Sequence, residues 1–148
     1  MKNSLKKKLL TWKKKGLSIG VCNGCFDLLH KGHLHLIRNS KKRCDKLLIL
    51  LNSDKSVKKI KGKERPIENE KKRKSKLIKF KEISDVMIFK ESTPLKIIKD
   101  IKPDYIFKGS DYKNKRISGQ NYIKKYGGKT ILIKILKNYS TTNIINQK

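Results

Sequence analysis

The chain has 148 residues, 36% of them hydrophobic, and its 40 Lys and Arg outweigh 12 Asp and Glu to leave a formal net charge of +28. That length fits one domain with a buried core, and no run approaches eighteen consecutive apolar residues, which argues against a bilayer-spanning helix. Three cysteines are too few for a disulfide framework, and the basic start lacks the apolar run and small-residue cleavage site of a secretory signal, so the expected location is the cytoplasm.

Leu5, Leu9, Leu10 and Trp12, set among lysines, predict an amphipathic helix that Gly16 stops and whose apolar side packs on the domain. Leu17 to Cys22 predicts a buried strand, a helix follows from about Gly32 to Cys44, and Lys46 to Leu51 is a second buried strand. Lys55 to Lys61 reads as a short helix or loop, broken by Gly62 and Pro66. Glu68 to Lys81 is a helix carrying Leu77, Ile78 and Phe80, and Val86 to Phe89 is a strand. Thr93 caps the next helix, with Pro94 at its first position and Leu95, Ile97, Ile98 and Ile101 continuing it. After the Pro103-Asp104 break come a strand from Tyr105 to Phe107 and a short helix from Asn121 to Tyr126, closed by Gly127-Gly128. Thr130 to Leu136 is the last strand, and Ser140 caps a terminal helix.

Strands alternating with helices at this spacing predict an α/β fold, a Rossmann-like open parallel sheet of about five strands with helices on both faces. The expected organisation is a single domain over residues 1–148: an N-terminal basic helix over 1–16, then an α/β core over 17–148.

Chemistry concentrates after the first strand, in Asn23-Gly24-Cys25-Phe26-Asp27-Leu28-Leu29-His30-Lys31-Gly32-His33. All three histidines (His30, His33, His35) fall within six residues, where a strand gives way to its helix. In an open parallel sheet, ligands bind outside the carboxyl ends of the strands, and a helix N-terminus there suits phosphate. Gly32 removes a side chain between two imidazoles, so a base or phosphate can approach the backbone. His30 and His33 would then offer N–H donors to a phosphate whose charge grows during reaction.

Three other readings compete. Asp27, His30 and His33 could ligate a metal. Cys22 and Cys25 have C-x-x-C spacing, but Cys44 is the only other cysteine, so no second zinc pair exists. Finally, the histidines could pack in the core, His35 foremost.

The segment resembles the H-x-G-H signature of the cytidylyltransferase-like nucleotidyltransferases, and the rest of the chain resembles their heptose 1-phosphate adenylyltransferase (ADP-heptose synthase) branch. The resemblance runs from about Leu10 to Ile145. Besides the stretch above it rests on Asn52-Ser53-Asp54, Lys61-Gly62, Arg65-Pro66, Arg73, Thr93-Pro94, Pro103-Asp104, Lys108-Gly109-Ser110-Asp111-Tyr112, Gly119, Gly127-Gly128 and Ser140-Thr141-Thr142-Asn143-Ile144-Ile145.

The resemblance implies transfer of AMP from ATP to D-glycero-β-D-manno-heptose 1-phosphate, with His30 and His33 catalytic. Cys25, Phe26, Lys31, Gly32, Asp111, Ser140 and Thr141 would bind the nucleotide, and Lys61, Arg65 and Arg73 the pyrophosphate. Asp27, Lys108 and Tyr112 are candidate substrate contacts. Mg²⁺ would travel with ATP on phosphate oxygens, without a protein cage. Many relatives carry a fused sugar kinase, so a separate kinase would supply the sugar phosphate here, and relatives imply a homodimer. No membrane partner is expected.

Two rivals remain. The same chemistry could serve glycerol 3-phosphate with CTP, or FMN with ATP. A basic nucleic-acid-binding module is the rival of another class. Against it, only five of the basic residues are arginine (Arg38, Arg43, Arg65, Arg73, Arg116), and lysine is spread along the whole chain. Phosphate-reading surfaces favour arginine's planar fork, so the lysine excess reads as compositional bias.

Overall fold

A computed structural model describes residues 2–136. The expected terminal helix, with Ser140 and Thr141, lies outside the described residues. Five strands, β1 (Ile19–Gly24), β2 (Lys46–Asn52), β3 (Asp85–Phe89), β4 (Tyr105–Gly109) and β5 (Lys129–Ile133), form one sheet in the order β3-β2-β1-β4-β5. Every neighbouring pair is parallel. The connecting helices are α1 (Asn3–Lys14), α2 (Lys31–Lys41), α3 (Asp54–Lys61), α4 (Glu70–Leu77), α5 (Leu95–Ile101) and α6 (Gln120–Lys124). This is the expected Rossmann-like α/β fold. Among the described residues, no helix is long and apolar enough to cross a membrane.

The run Leu47 to Leu51 explains why β2 sits inside the sheet. Successive side chains of a strand point to opposite faces, and here both faces are covered. Leu47, Ile49 and Leu51 join Ile37 of α2, Leu77 of α4 and Phe107. Leu48 and Leu50 join Leu5 and Leu9 of α1, Ile98 and Ile101 of α5, and Ile123 of α6. The strand is therefore apolar throughout rather than alternating. On β1, Gly20 leaves space on its second face for an aromatic ring, since a Cβ there would overlap Phe107 and stand 2.9 Å from the Cys44 sulfur.

Helix α1 packs as the sequence predicts, except that Leu10 is exposed while Leu5 and Leu9 are buried. Lys13 Nζ also donates to the Ile101 carbonyl at 2.8 Å, satisfying one of the orphan acceptors at the end of α5.

Several boundaries differ from expectation for local reasons. β1 starts two residues late because Ser18 is held by the Asp45 carboxylate through both its N–H and its hydroxyl. The predicted helix from Glu68 to Lys81 is shorter: Asn69 caps it by accepting from the Lys72 N–H, and it ends at Leu77, leaving Ile78 exposed. Thr93 does not cap α5; the cap position is Pro94 and carries no side-chain bond. The last strand ends at Ile133, paired with Gly109, and not at Leu136.

Candidate active site

The cleft opens at the carboxyl ends of the strands, the end where the loops after β1, β3 and β4 gather. The loop after β1 is tightly bent, with two non-glycine residues at positive φ, Phe26 (48°) and Leu28 (50°). Asp27 between them is buried and organises a second loop: its carboxylate accepts from the N–H groups of Ile67 and Glu68 at 2.7 and 3.0 Å and from Arg65 Nε at 3.2 Å. Leu28 N–H in turn donates to the Glu68 carboxylate at 3.2 Å. Glu68 is itself held by Lys72 and Lys76. The loop after β1 and the 65–68 segment are thus stitched together, which brings Arg65 to the cleft.

His30 and His33 form the start of α2. The His30 ring accepts the Gly32 N–H at Nδ1 (3.1 Å), and the His33 ring accepts the His30 N–H at Nδ1 (3.2 Å). This reciprocal arrangement is a capping box built from two imidazoles. An imidazole nitrogen that accepts an N–H carries no proton, so each ring bears its hydrogen on Nε2. The rings stack at 3.8 Å between centroids with 23° between planes, and Phe26 leans on His33 at 5.3 Å. Burial holds His30 below the ordinary histidine range. His33 is pushed down to about 3, by burial first and by the neighbouring His30 second, with Asp27 opposing. At neutral pH the pair is two uncharged donors.

Both histidines line a cavity of about 470 Å³ that also carries cationic side chains. Lys61, Arg65, Lys108 and Arg116 contribute to it, with Asp111 and Tyr112. Lys108 Nζ donates to the Asn23 carbonyl at 3.1 Å and sits 4.7 Å from the centre of the Tyr112 ring. Burial pulls its pKa down, opposed by the thiols of Cys22 and Cys25 and by Asp111. The cavity also meets Cys25, Phe26, Asp27 and Gly32.

Two expected contacts stand apart from this cavity. Lys31 is exposed on the first turn of α2, off the cavity. Arg73 is fully buried and also off the cavity. Its guanidinium donates to the carbonyls of Glu68 (2.9 Å), Cys25 (2.9 Å) and Asn52 (2.8 Å) and to the Asp54 carboxylate (2.7 Å). That set ties the ends of β1 and β2 to the starts of α3 and α4, a positioning task instead of a grip on pyrophosphate. Ser140 and Thr141 lie outside the described residues.

His35 is not a core residue; its ring bonds the Lys134 carbonyl at 2.7 Å and faces the cavity. Sequence reasoning also passed over Arg116 and Ser92, both lining the cavity, and assigned Thr93, which lines it too, only to a helix cap and to the family resemblance. Arg116 had a signal, being one of only five arginines.

The rival chemistries fare poorly here. Cys22 is raised to about 11 by burial and Cys25 is raised by burial as well, so neither thiol is poised as a thiolate. Asp27 gives its oxygens to Arg65 and two N–H groups, and both imidazoles use Nδ1 as acceptors. Among the described residues no His, Cys, Asp and Glu group converges on a metal position. The cationic side chains and imidazole N–H groups of the cleft suit phosphate oxygens, and Asp111 is a carboxylate on the same cavity.

The sequence profile of the cytidylyltransferase-like family matches residues 21–147. The bifunctional protein HldE of Nitrobacter winogradskyi is 43% identical over 139 residues, covering 94% of this chain and 28% of that protein. HldE of Caulobacter vibrioides is 42% identical over 134 residues, covering 90% and 28% respectively. This chain therefore spans little more than a quarter of the length of these relatives. A solved structure, the lipopolysaccharide core biosynthesis protein of Thermoplasma volcanium, superposes with a TM-score of 0.66 at 31% identity, covering 84% of this chain and 100% of that one. With its parallel sheet, its paired imidazoles at the head of α2 and a family match over most of its length, this chain belongs to the cytidylyltransferase-like family.

Proposed function

We propose that this chain is a nucleotidyltransferase that transfers AMP from ATP to D-glycero-β-D-manno-heptose 1-phosphate, giving ADP-heptose and pyrophosphate. The observation that carries the reading is the pair of neutral Nε2–H donors sharing one cavity with Lys61, Arg65, Lys108 and Arg116. The likeness to the HldE proteins and to a lipopolysaccharide core biosynthesis protein supports the sugar-phosphate acceptor.

In this reaction a phosphate oxygen of the acceptor attacks the α-phosphorus of ATP in line, and the bond to the bridging oxygen of pyrophosphate breaks. No covalent enzyme intermediate is needed, so the protein positions the reactants and neutralises charge. His30 and His33 donate from Nε2 to the α-phosphate oxygens as charge builds on them. Gly32, Cys25 and Phe26 shape the floor under the nucleotide, and Asp111 faces the ribose. Lys61, Arg65 and Arg116 receive the departing pyrophosphate, and Lys108 with Tyr112 meets the acceptor. Ser140 and Thr141 complete the phosphate contacts in this proposal. Mg²⁺ entering with ATP would be held on the triphosphate oxygens and would add to the neutralisation of the leaving group.

The proposal includes action in the cytoplasm, a sugar kinase as the upstream supplier, and a homodimeric assembly; these rest on the family resemblance. The test is pyrophosphate release from an acceptor panel: heptose 1-phosphate with ATP, glycerol 3-phosphate with CTP, and FMN with ATP. Release is expected with the first pair and should fall by about 10²–10³ in His30→Ala and in His33→Ala. Release with another pair only would replace the acceptor, and undiminished release in both variants would remove the histidines from the mechanism.

A further inference from the structure

Lys134 and Ile135 share a peptide unit whose two polar ends are held by two different elements. Its carbonyl lies 2.7 Å from Nε2 of His35, on α2. Its N–H, that of Ile135, donates to the hydroxyl of Ser110 at 3.2 Å, just past β4. A carbonyl can only accept, so His35 carries a proton on Nε2. Asn39, one turn further along α2, fixes the ring: its amide nitrogen donates to His35 Nδ1 at 3.3 Å and to the His35 carbonyl at 2.8 Å.

These bonds begin where the sheet stops directing the backbone, one residue beyond the Gly109–Ile133 pair. Ile135 and Leu136, whose course the held peptide sets, line the cavity beside His35. Gly109 leaves the room they need, because a Cβ there would stand 2.8 Å from Ile135 Cγ2. Neither His35 nor Ser110 is free to act on a phosphate through the atoms so engaged.

We propose that His35 and Ser110 are positioning residues that hold the Lys134–Ile135 peptide from both ends and thereby shape the nucleotide-binding wall of the cleft. The inference rests on the reading of the cleft as a nucleotide site. Its signature lies in nucleotide affinity, because a wall that drifts weakens binding without removing a group that acts on the reacting phosphorus.

Titration calorimetry of the full chain with ATP reads the effect without any acceptor, and pyrophosphate release then separates KM from kcat. His35→Ala and Ser110→Ala should each raise the Kd and KM for ATP about three- to tenfold, the worth of one neutral hydrogen bond. At saturating ATP, kcat should stay within about twofold of the parent. His35→Gln keeps an amide N–H donor and should recover most of the loss. Because both residues act on one peptide, the double variant should lose less than the product of the two single losses. Unchanged ATP affinity in a folded His35→Ala, a loss confined to kcat, or a glutamine variant no better than alanine would each overturn the proposal. If His35→Ala does not fold, Ser110→Ala and His35→Gln carry the same test. A parent chain that binds no ATP would instead refute the functional reading beneath it.

Discussion

Replacing Arg73 with alanine should unsettle the fold around the cleft and not merely weaken a ligand contact. The guanidinium is fully buried and makes four hydrogen bonds, three to main-chain carbonyls and one to Asp54. Removal leaves those acceptors without their donor inside the fold. Asp54 is partly open to solvent and can recover water, and the Cys25 carbonyl borders the cleft, so the loss is less than the sum of four charged hydrogen bonds. Breaking a buried ion pair by deleting one partner costs about 3–5 kcal/mol, and the remaining orphaned carbonyls place Arg73→Ala in that range. Urea unfolding followed by circular dichroism would measure it, with Arg73→Lys expected to recover only part because an ammonium cannot span four acceptors. A stability change below about 1 kcal/mol, together with weaker pyrophosphate inhibition, would refute the reasoning and return Arg73 to the ligand.

The His33 ring supplies a pH dependence of stability. Its folded pKa is depressed to about 3 from 6.5, so below pH 6.5 the unfolded chain binds a proton that the folded ring refuses. Stability from this group is therefore complete above pH 6.5 and falls as pH drops towards 3. Between pH 6.5 and 5 the loss should be about 1–2 kcal/mol, and urea titrations at the two pH values should show it shrink in His33→Asn. At Gly20, alanine would drive a methyl into the Phe107 ring. Overpacking of this kind costs about 1–3 kcal/mol, readable as a lowered Tm.

How much of this was visible in the residues follows from what each signal depends on. The apolar run Leu47 to Leu51 announces a strand covered on both faces, since it is too short for a buried helix and fits a strand of ordinary length. The histidines could be assigned to a helix head because Gly32 and the preceding strand fix where the turn must fall. What the chain order hides is partnership across distance. Asp27 reads as a candidate ligand until Ile67 and Glu68, forty residues on, present their N–H groups to it. Arg73 likewise reads as a phosphate contact until the burial of α4 turns it inward. His35 looked like an inward residue, one turn further into the helix; only the path of the chain past β5 shows that a main-chain acceptor waits there. Charge carried little information, because thirty-odd lysines dilute the handful that face the cleft.

Anyone trimming this protein for expression or grafting it onto another polypeptide should leave its opening helix in place. With Leu5 and Leu9 seated under the sheet and Lys13 closing the far end of α5, a cut near Gly16 would strip one flank of the interior and uncap a neighbour in the same stroke. Junctions placed ahead of Asn3 leave that helix whole.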